Sequence, residues 1–312
     1  MRGVRKSRTF PNKTMAMHWA AEVEKEILAG KNGQIPNKTF GDLLKKYAAE
    51  VSPKKKGAEW EIKRINAMLR QDVSKLMLSD MSRSDFATWR DLRLKSVSTA
   101  TVNREMNLIS HVLNTAVMDW EWLHENPMKG VKRPPETPPR DRIMTDKEID
   151  RLLFALGYDY DAEKLETVSS RVGAAMLFAI ETAMRASEIC KLTWNDVDTE
   201  NRVAILLETK NGTKRKVPLS SEAVRIIEQL RNTGTESVFD LTTNQIDPLF
   251  RKARKRTLID DLHFHDSRHT AITRLAKVFN VLELSRIVGH KDLRNLQIYY
   301  NESAEELAKK LD

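Results

Sequence analysis

Cysteine is almost absent from this sequence, with Cys190 the single example among 312 residues. A disulfide-stabilised scaffold is therefore excluded, and a reducing, cytosolic setting is favoured. No apolar run approaches the roughly twenty residues that cross a bilayer, and the basic amino terminus lacks the apolar segment of a signal peptide. The sequence therefore predicts a protein of the cytoplasm that has no membrane partner.

Aromatic residues are scarce at 6%, whereas charged residues reach 31%. Lysine and arginine together number 53 against 44 acidic residues, which gives a net charge of +9. An excess of this sign favours a polyanionic partner, nucleic acid before membrane. The alternative, from charge alone, is a basic protein whose surface is simply well solvated.

Changes in composition divide the chain into four parts, of which residues 1–36 are a basic segment. Its first twenty residues carry five cations and no acidic side chain. Arg8–Phe10 could form a short strand, and Met15–Leu28 a helix capped by Asn12 or Thr14. This part is either a basic tail or a small DNA-contacting module.

Residues 37–133 carry helical periodicity throughout and contain no convincing strand. Thr39 and Thr99 are predicted helix caps, and a further helix starts at Ser82 or Ser84. Lysine and arginine stand at the turns between these helices. The second part is therefore predicted to be a helical DNA-binding domain.

A proline-rich connector, residues 134–139, is extended and stiff and forms the clearest boundary in the chain. Residues 140–312 form the fourth part, in which Thr145 opens a helix with a capping-box signal. An apolar helix from Val172 to Met184 is predicted to deliver Arg185. The predicted fold class is mainly α with a small antiparallel β-sheet, or α+β.

The small sheet is predicted from two short strands that flank Asn211-Gly212, a strong hairpin signal. Lys210 stands beside the hairpin tip and is presented outward. It could supply a proton to a leaving oxygen, with Lys214 and Lys216 as competitors. The alternative is an ordinary solvated lysine.

Arginine and histidine recur at close spacing in the fourth part. Arg185 follows a buried helix, where an unpaired charge is unfavourable, and Glu188 stands one turn later on the same face. His265 and Arg268 are three residues apart and share a helix face. A guanidinium can bond two phosphate oxygens at once, so this set suggests a phosphodiester site. The alternatives to a phosphodiester site are that Arg185 and Glu188 form a purely structural ion pair and that the His-x-x-Arg spacing occurs by chance.

Histidines His263 and His269 lie in the same segment and could also suggest a metal site. No histidine pair here is accompanied by Asp, Glu or Cys at ligand spacing elsewhere, so no metal ligand is assigned. The chain also lacks the Gly-x-x-x-x-Gly-Lys loop that cradles nucleotide phosphates. No cofactor is predicted.

Two adjacent tyrosines, Tyr299 and Tyr300, follow His290, which comes directly after Gly289 at a predicted tight turn. A tyrosine hydroxyl is a weak nucleophile that needs a proton acceptor and positive surroundings. In a helical segment the second tyrosine points about 100° away from the first. Only one of the two can therefore reach a given phosphate.

These segments resemble the active-site set of the tyrosine recombinases, or phage-type integrases. The resemblance rests, in chain order, on Thr182–Ile189, Thr209–Gly212, His265–Thr270, Val288–Leu293 and Gln297–Asn301. It covers residues from about 140 to 312. Residues 37–133 resemble the family's core-binding domain more loosely, and residues 1–36 resemble the end of an arm-binding module that lacks its earlier strands.

The resemblance implies the catalytic residues Arg185, Lys210, His265, Arg268, His290 and Tyr299. The two arginines would clamp the scissile phosphate, both histidines would bond to it, and the first histidine would assist proton transfer. Lys210 would protonate the leaving 5′ oxygen, and Tyr299 would attack to give a 3′-phosphotyrosyl link. Tyr299 is preferred to Tyr300 because the family's nucleophile follows Gln-Ile at this distance from Gly-His. Glu188 matches an acidic position behind the clamp.

Two positions depart from the family pattern. Ala183 stands where many members have glycine, and Ser267 stands where leucine is commoner. Neither departure removes a chemical group from the phosphate.

The resemblance also implies partners: double-stranded DNA, three further copies in a homotetramer, and an excisionase or DNA-bending protein. Neither ATP nor metal is implied, because the protein–DNA ester conserves the bond energy. The tail Ala304–Asp312 would dock on a neighbouring copy or fold back on its own domain. Phage or mobile-element DNA integration is the first reading, and inversion or resolution of DNA is the second. A DNA-binding protein that does not cut is the alternative from another class.

Overall fold

The structure is a computed structural model that describes residues 8–28, 35–138, 140–207, 214–231, 234–290 and 292–300. The chain divides into two compact units, Met1–Pro139 and Arg140–Asp312. Within the described ranges, no helix is both long and apolar enough to cross a membrane. The predicted hairpin tip with Lys210 and the predicted tail helix after residue 300 lie outside the described residues.

The amino-terminal unit is helical. Its helices are α1 Lys13–Leu28, α2 Phe40–Glu50, α3 Ala58–Met68, α4 Arg83–Leu94 and α5 Thr99–Met118, with 3-10 turns at Ser52–Lys54 and Asp72–Lys75. The Asn12 side chain accepts the Met15 N–H and so caps α1. Thr39 caps α2 in a capping box with Asp42, as its sequence predicts. These caps satisfy backbone donors that each helix start leaves unpaired.

Two sequence predictions for this unit were wrong. Residues 8–10 are not a strand; the Phe10 ring packs on Trp19 instead, with 5.2 Å between ring centroids. The cap of α5 is Ser98, which accepts from the Thr101 N–H, and Thr99 is the first helical residue. Neighbouring hydroxyl residues compete for a cap, and spacing alone does not choose between them.

The core of this unit is apolar with one paired carboxylate. Buried side chains from α2 to α5 fill it, among them Phe40, Leu44, Ile65, Met106, Ile109 and Leu113. Glu105 is 2% exposed and accepts two hydrogen bonds of 2.9 Å from Arg93 and one of 3.3 Å from Arg64. The ion pairs join α3, α4 and α5, and they leave no uncompensated charge on the buried carboxylate.

The carboxy-terminal unit combines helices with a small sheet. Its helices are α6 Asp146–Leu156, α7 Val168–Thr182, α8 Ala186–Lys191, α9 Ser221–Glu228, α10 Thr243–Arg256, α11 Asp266–Leu275, α12 Val281–Val288 and α13 Arg294–Gln297, and its strands are β1 Val197–Asp198, β2 Val203–Leu206 and β3 Arg215–Pro218. A 3-10 turn, Trp194–Asp196, precedes β1. This unit packs around α7, whose side chains are nearly all buried.

The sheet is antiparallel in the order β1-β2-β3. Ala204 faces Val217 and Leu206 faces Arg215 across the second pair. Two of the strands match the sequence prediction, whereas β1 was not predicted because two residues show no alternation. The predicted fold class, mainly α with a small antiparallel sheet, is confirmed.

The helix that was predicted over Val172–Met184 is shifted towards the amino terminus, to Val168–Thr182. Ala183 ends it with φ 52° and ψ 23°, a left-handed conformation, and its side chain is fully buried. A left-handed alanine is strained by roughly 1–2 kcal/mol, which explains why glycine suits this position. Arg185 therefore does not end α7 but stands at the start of α8.

Candidate active site

Arg185 and Glu188 form an ion pair at the start of α8. The Arg185 guanidinium donates to Glu188 Oε1 at 2.9 Å, and its backbone N–H donates to Oε2 at 2.9 Å. Burial alone would raise the pKa of the Glu188 carboxyl, but the charges of Arg215 and Arg185 hold this pKa below its usual value. The carboxylate is therefore ionised and fixes Arg185 in place.

Arg215, at the start of β3, supplies a further guanidinium to the same carboxylate. It donates to Glu188 Oε2 at 2.8 Å and to the Val288 carbonyl at 2.9 Å. A Cβ on Gly289 would lie 2.5 Å from Arg215 Nη1, so the glycine admits this guanidinium. Arg215 was not predicted from the sequence, although strand alternation puts it on the same face as the buried Val217.

Arg268, on α11, is 3% exposed. Its guanidinium donates to the carbonyl of Ala183 and, at 2.8 Å, to that of Val288. Burial and the positive charges of Arg185 and Arg215 lower the pKa of Arg268 to about 9, so the group stays charged at neutral pH. Because carbonyls hold it, its positive charge is oriented without being neutralised.

His290 follows Gly289, whose φ of 69° ends α12. Its Nε2 lies 3.2 Å from Nη2 of Arg268. A guanidinium only donates, so Nε2 accepts, and the neutral ring carries its proton on Nδ1. Burial and the nearby arginines lower the pKa of His290 to about 4. Nδ1 is buried and has no hydrogen-bond partner within the described part of the chain.

His265 immediately precedes α11, and its side chain is exposed. Its ring meets the ring of His269 edge-on, with 5.4 Å between centroids. Partial desolvation, followed by electrostatic interaction with His269 and Arg268, lowers the pKa of His265. The helical backbone at His265 keeps the predicted three-residue relation to Arg268, but this histidine lies at the solvent side of the site.

Tyr299 and Tyr300 have different surroundings. The Tyr299 hydroxyl lies 2.8 Å from Nδ1 of His269. Burial raises the pKa of Tyr299, and the charge of Arg268 opposes this rise. The Tyr300 hydroxyl instead donates to the Phe279 carbonyl at 2.7 Å. This difference favours Tyr299 as the hydroxyl that can react.

The structure therefore gathers most of the predicted set in one unit. Direct contacts or shared partners join four of the predicted residues: Arg185, Glu188, Arg268 and His290. Tyr299 lies within reach of the charge of Arg268. His265 lies at the edge of the site. Lys210 is outside the described residues. The sequence analysis did not assign Arg215 or His269 to the site, and both contact predicted site residues.

Asp266 fixes the start of α11, two residues before Arg268. It is fully buried and accepts two hydrogen bonds of 2.7 Å from Arg140 and one of 2.7 Å from the His263 N–H. Burial alone would raise the pKa of this carboxyl, but Arg140 and the amide outweigh it and lower the pKa. Arg140 also bonds the exposed Asp261.

Asp266→Ala is expected to lower the free energy of unfolding by about 2–3 kcal/mol. A broken buried pair costs more, but Arg140 is a third exposed and can recover water. Asp261→Ala, at the exposed partner of the same arginine, should change it by less than about 1 kcal/mol. Urea denaturation of the full chain measures both. The Asp266 contribution should be complete above about pH 3.9 and disappear as the pH falls through the lower folded pKa; equal effects of the two variants would contradict this account.

Metal-binding side chains are not clustered here. Within the described ranges, no group of three or more His, Cys, Asp or Glu is placed to hold a metal ion. Cys190 packs partly buried against the core, and burial raises the pKa of its thiol to about 11. The thiol is therefore protonated at neutral pH and a poor nucleophile.

A helical unit followed by a mixed unit that gathers arginine, histidine and tyrosine is the architecture of a tyrosine recombinase. Residues 142–306 match the phage integrase family, and residues 37–133 match the phage integrase N-terminal domain. The chain belongs to the phage integrase family.

Two relatives resemble most of the chain. A putative integrase/recombinase of Haemophilus influenzae is 40% identical over 299 residues, which are 95% of this chain and 97% of that protein. The shufflon-specific DNA recombinase of Escherichia coli is 36% identical over 289 residues, which are 89% of this chain and 73% of that protein.

Solved structures share the fold. A lambda integrase dimer bound to a COC′ core site aligns with a TM-score of 0.71 and 16% identity, covering 96% of this chain and 89% of that chain. The Tn1549 transposon integrase in complex with a circular intermediate DNA aligns with a TM-score of 0.69 and 20% identity, covering 88% of this chain and 98% of that chain. Identities this low bear on the fold alone.

Proposed function

We propose that this protein is a site-specific DNA recombinase that cuts and rejoins DNA through a 3′-phosphotyrosyl intermediate. The observation that carries the proposal is the cluster of guanidinium groups of Arg185, Arg215 and Arg268 around the Glu188 carboxylate, with Tyr299 within reach of the charge of Arg268. Positive charge that exceeds its acidic partner suits a phosphodiester, whose negative charge grows in the transition state.

In this proposal, Arg185 and Arg268 bond the non-bridging oxygens of the scissile phosphate. His290 also bonds the phosphate, and His265 bonds it from the exposed edge and assists proton transfer. Glu188 acts through Arg185 by holding its guanidinium in position. The site thereby offers its hydrogen bonds before the substrate arrives, which is the condition for electrostatic catalysis.

The Tyr299 oxygen attacks phosphorus, and the bond from phosphorus to the 5′ oxygen breaks. Lys210 protonates that leaving oxygen, which departs as a 5′ hydroxyl. The DNA stays joined to the protein through a phosphotyrosyl ester, and attack by another 5′ hydroxyl reverses the step. Because one ester replaces another, the cycle requires neither ATP nor a metal.

The partners proposed are a DNA duplex and three further copies of this chain. Residues 37–133 would bind the core site and residues 140–312 would cut it. The connector 134–139 lies between them in the chain, and the basic segment 1–36 would serve as an arm-binding module. A lambda integrase tetramer bound to a Holliday junction is among the solved structures that share the fold, and it supports the proposed tetramer. An excisionase or a DNA-bending protein is a further proposed partner, and the cytoplasmic nucleoid is the proposed location.

DNA binding is expected to depend steeply on salt. If the two units together neutralise about 6–10 phosphates, affinity should fall by about 10³–10⁵-fold between 50 and 200 mM salt. Fluorescence anisotropy with a labelled duplex measures the slope. A DNA affinity that does not change with salt would argue against DNA binding through lysine and arginine contacts to phosphates.

Covalent trapping tests the proposed function. The protein is incubated in EDTA with nicked suicide duplexes that tile DNA from the neighbourhood of its own gene, and adducts are resolved on a denaturing gel. The modified peptide is then identified by mass spectrometry. An EDTA-resistant adduct on Tyr299 is the expected result. Salt-sensitive DNA binding without an adduct on any duplex would favour the non-cutting DNA-binding protein.

DNA inversion is a second candidate, because the shufflon-specific recombinase is 36% identical to this chain. Plasmids that carry two copies of the DNA site identified by covalent trapping, in direct or inverted orientation, distinguish inversion from integration. Inversion without excision would favour the inversion recombinase, whereas joining of two separate plasmids would favour integration.

A further inference from the structure

The hydroxyl of Tyr299 has a partner that the proposed function leaves without a role. His269 lies on α11, one residue after Arg268, and its Nδ1 is 2.8 Å from the Tyr299 oxygen. The two rings lie 6.5 Å apart and are inclined by 31°. The contact joins residues 30 positions apart in the chain, so it is made by the fold and not by local sequence.

The direction of this hydrogen bond follows from the protonation state of His269. Burial is the main cause that lowers its pKa, so the ring is neutral at neutral pH. Among the described residues, the charged and titratable groups around it are Arg140, Asp141, His265, Asp266, Arg268, Lys277, Tyr299 and Tyr300. Nδ1 of the neutral ring can accept from the hydroxyl when the ring proton is on Nε2.

His265, to which the family resemblance assigns proton transfer, is less well placed for this task. Among the described residues, the Tyr299 hydroxyl is hydrogen-bonded to His269, and His265 makes no such bond. His265 instead meets the ring of His269 edge-on at 5.4 Å. A proton acceptor needs to lie within hydrogen-bond reach of the proton that it takes, and His269 meets this criterion.

We propose that His269 is a catalytic residue that accepts the Tyr299 proton during strand cleavage. As the bond from the Tyr299 oxygen to phosphorus forms, the phenolic proton moves to Nδ1 of His269. The electron pair of the breaking bond leaves with the 5′ oxygen, which takes its proton from a separate acid. During rejoining, His269 returns its proton to Tyr299. This inference rests on the proposed function, since it assigns a role within that reaction.

The surroundings allow the proton to be exchanged with solvent between the two steps. A cavity of about 450 Å³ borders both His269 and Tyr299, and it is also lined by Thr273, Lys277 and Ile298. A pocket of this size holds several waters. Water in this cavity can therefore return a proton to His269 if the ring loses it before rejoining.

The test compares His269→Asn with His269→Ala. Asparagine carries an oxygen near the position of Nδ1 that can accept a hydrogen bond but cannot keep a proton at neutral pH, whereas alanine provides neither. Rates of covalent adduct formation are measured under single-turnover conditions between pH 5.5 and 9. DNA affinity and thermal melting are measured in parallel. His263→Asn, at an exposed histidine just before the same helix, is the matched control.

Both His269 variants are expected to lose about 10²–10⁴-fold in adduct formation at neutral pH, with DNA affinity unchanged. The wild-type rate should fall at low pH as His269 becomes protonated, and the asparagine variant should lack this fall. A wild-type rate in His269→Asn with a slow His269→Ala would show that His269 only positions the hydroxyl, and would overturn the proposal.

A substrate with sulfur in place of the 5′-bridging oxygen separates the two proton transfers. Sulfur leaves without protonation, so this duplex should rescue a variant of the acid, such as Lys210→Ala, and not His269→Asn. Full rescue of His269→Asn would overturn the proposal by assigning His269 to the leaving group. If wild type forms no adduct at all, the proposed function fails; if wild type and His269→Asn react equally, the inference fails alone.

Discussion

Tyr299→Phe is expected to abolish covalent adduct formation, a loss of at least about 10⁴-fold, because removal of a nucleophile leaves only slow background chemistry. Tyr300→Phe should remain active. Its hydroxyl is bonded to the Phe279 carbonyl, so its removal should cost about 1 kcal/mol of stability. Gel assays on a suicide duplex, with the three proteins side by side, measure the difference.

The control for both tyrosine variants is DNA affinity, which should stay within about threefold of wild type because neither hydroxyl carries charge at neutral pH. An adduct that survives in Tyr299→Phe and disappears in Tyr300→Phe would move the nucleophile by one residue. That outcome would also remove the hydrogen bond between Tyr299 and His269 from the mechanism.

Arg268→Ala is expected to slow adduct formation by about 10³-fold or more, as losses of transition-state arginines do in phosphoryl transfer. Arg268→Lys should recover only part of the rate. One ammonium group cannot donate to the Ala183 and Val288 carbonyls, meet His290 and bond two phosphate oxygens at once. The single-turnover cleavage rate is the measurement.

The control for this prediction lies on the same helix. Arg274→Ala removes an exposed arginine that pairs with the exposed Asp146, and its cleavage rate should stay near that of wild type. Thermal melting separates a catalytic loss from unfolding. Wild-type activity in Arg268→Lys would mean that charge alone is sufficient and that the planar geometry of the guanidinium has no role.

Local sequence signals predicted the parts of the fold that depend on neighbouring residues. Thr39 and Thr145 each precede an acidic residue at the capping-box spacing, and both cap the predicted helices. The Arg185–Glu188 pair was also predictable because a three-residue separation brings side chains together at a helix turn. Such features depend only on residues that are close together in the sequence.

Long-range contacts escaped the sequence analysis. Arg268 is 85 residues from the Ala183 carbonyl that it bonds and 20 from that of Val288, and no periodicity encodes a carbonyl acceptor. His269 was considered only as part of a possible metal site, and its contact with Tyr299 joins residues 30 positions apart in the chain. Arg215 stands among several cations near the hairpin, and its spacing does not distinguish it from them. Sequence spacing predicted the residue types of the site but not which of them are bonded to each other.

The arrangement of charge around Glu188 has a consequence for folding. Three guanidinium groups share the neighbourhood of one carboxylate, and Arg268 is buried against carbonyls that cannot cancel its charge. Within the described part of the chain, Glu188 is the carboxylate that pairs with this cluster, so the unliganded site retains repulsion between its guanidinium groups. In the proposed function a phosphodiester would supply a further anion, so DNA that occupies the site would act as a stabilising ligand of the folded state. Binding of the DNA backbone would then also relieve the repulsion between the guanidinium groups, and the DNA-free recombinase would be the less stable form of the protein.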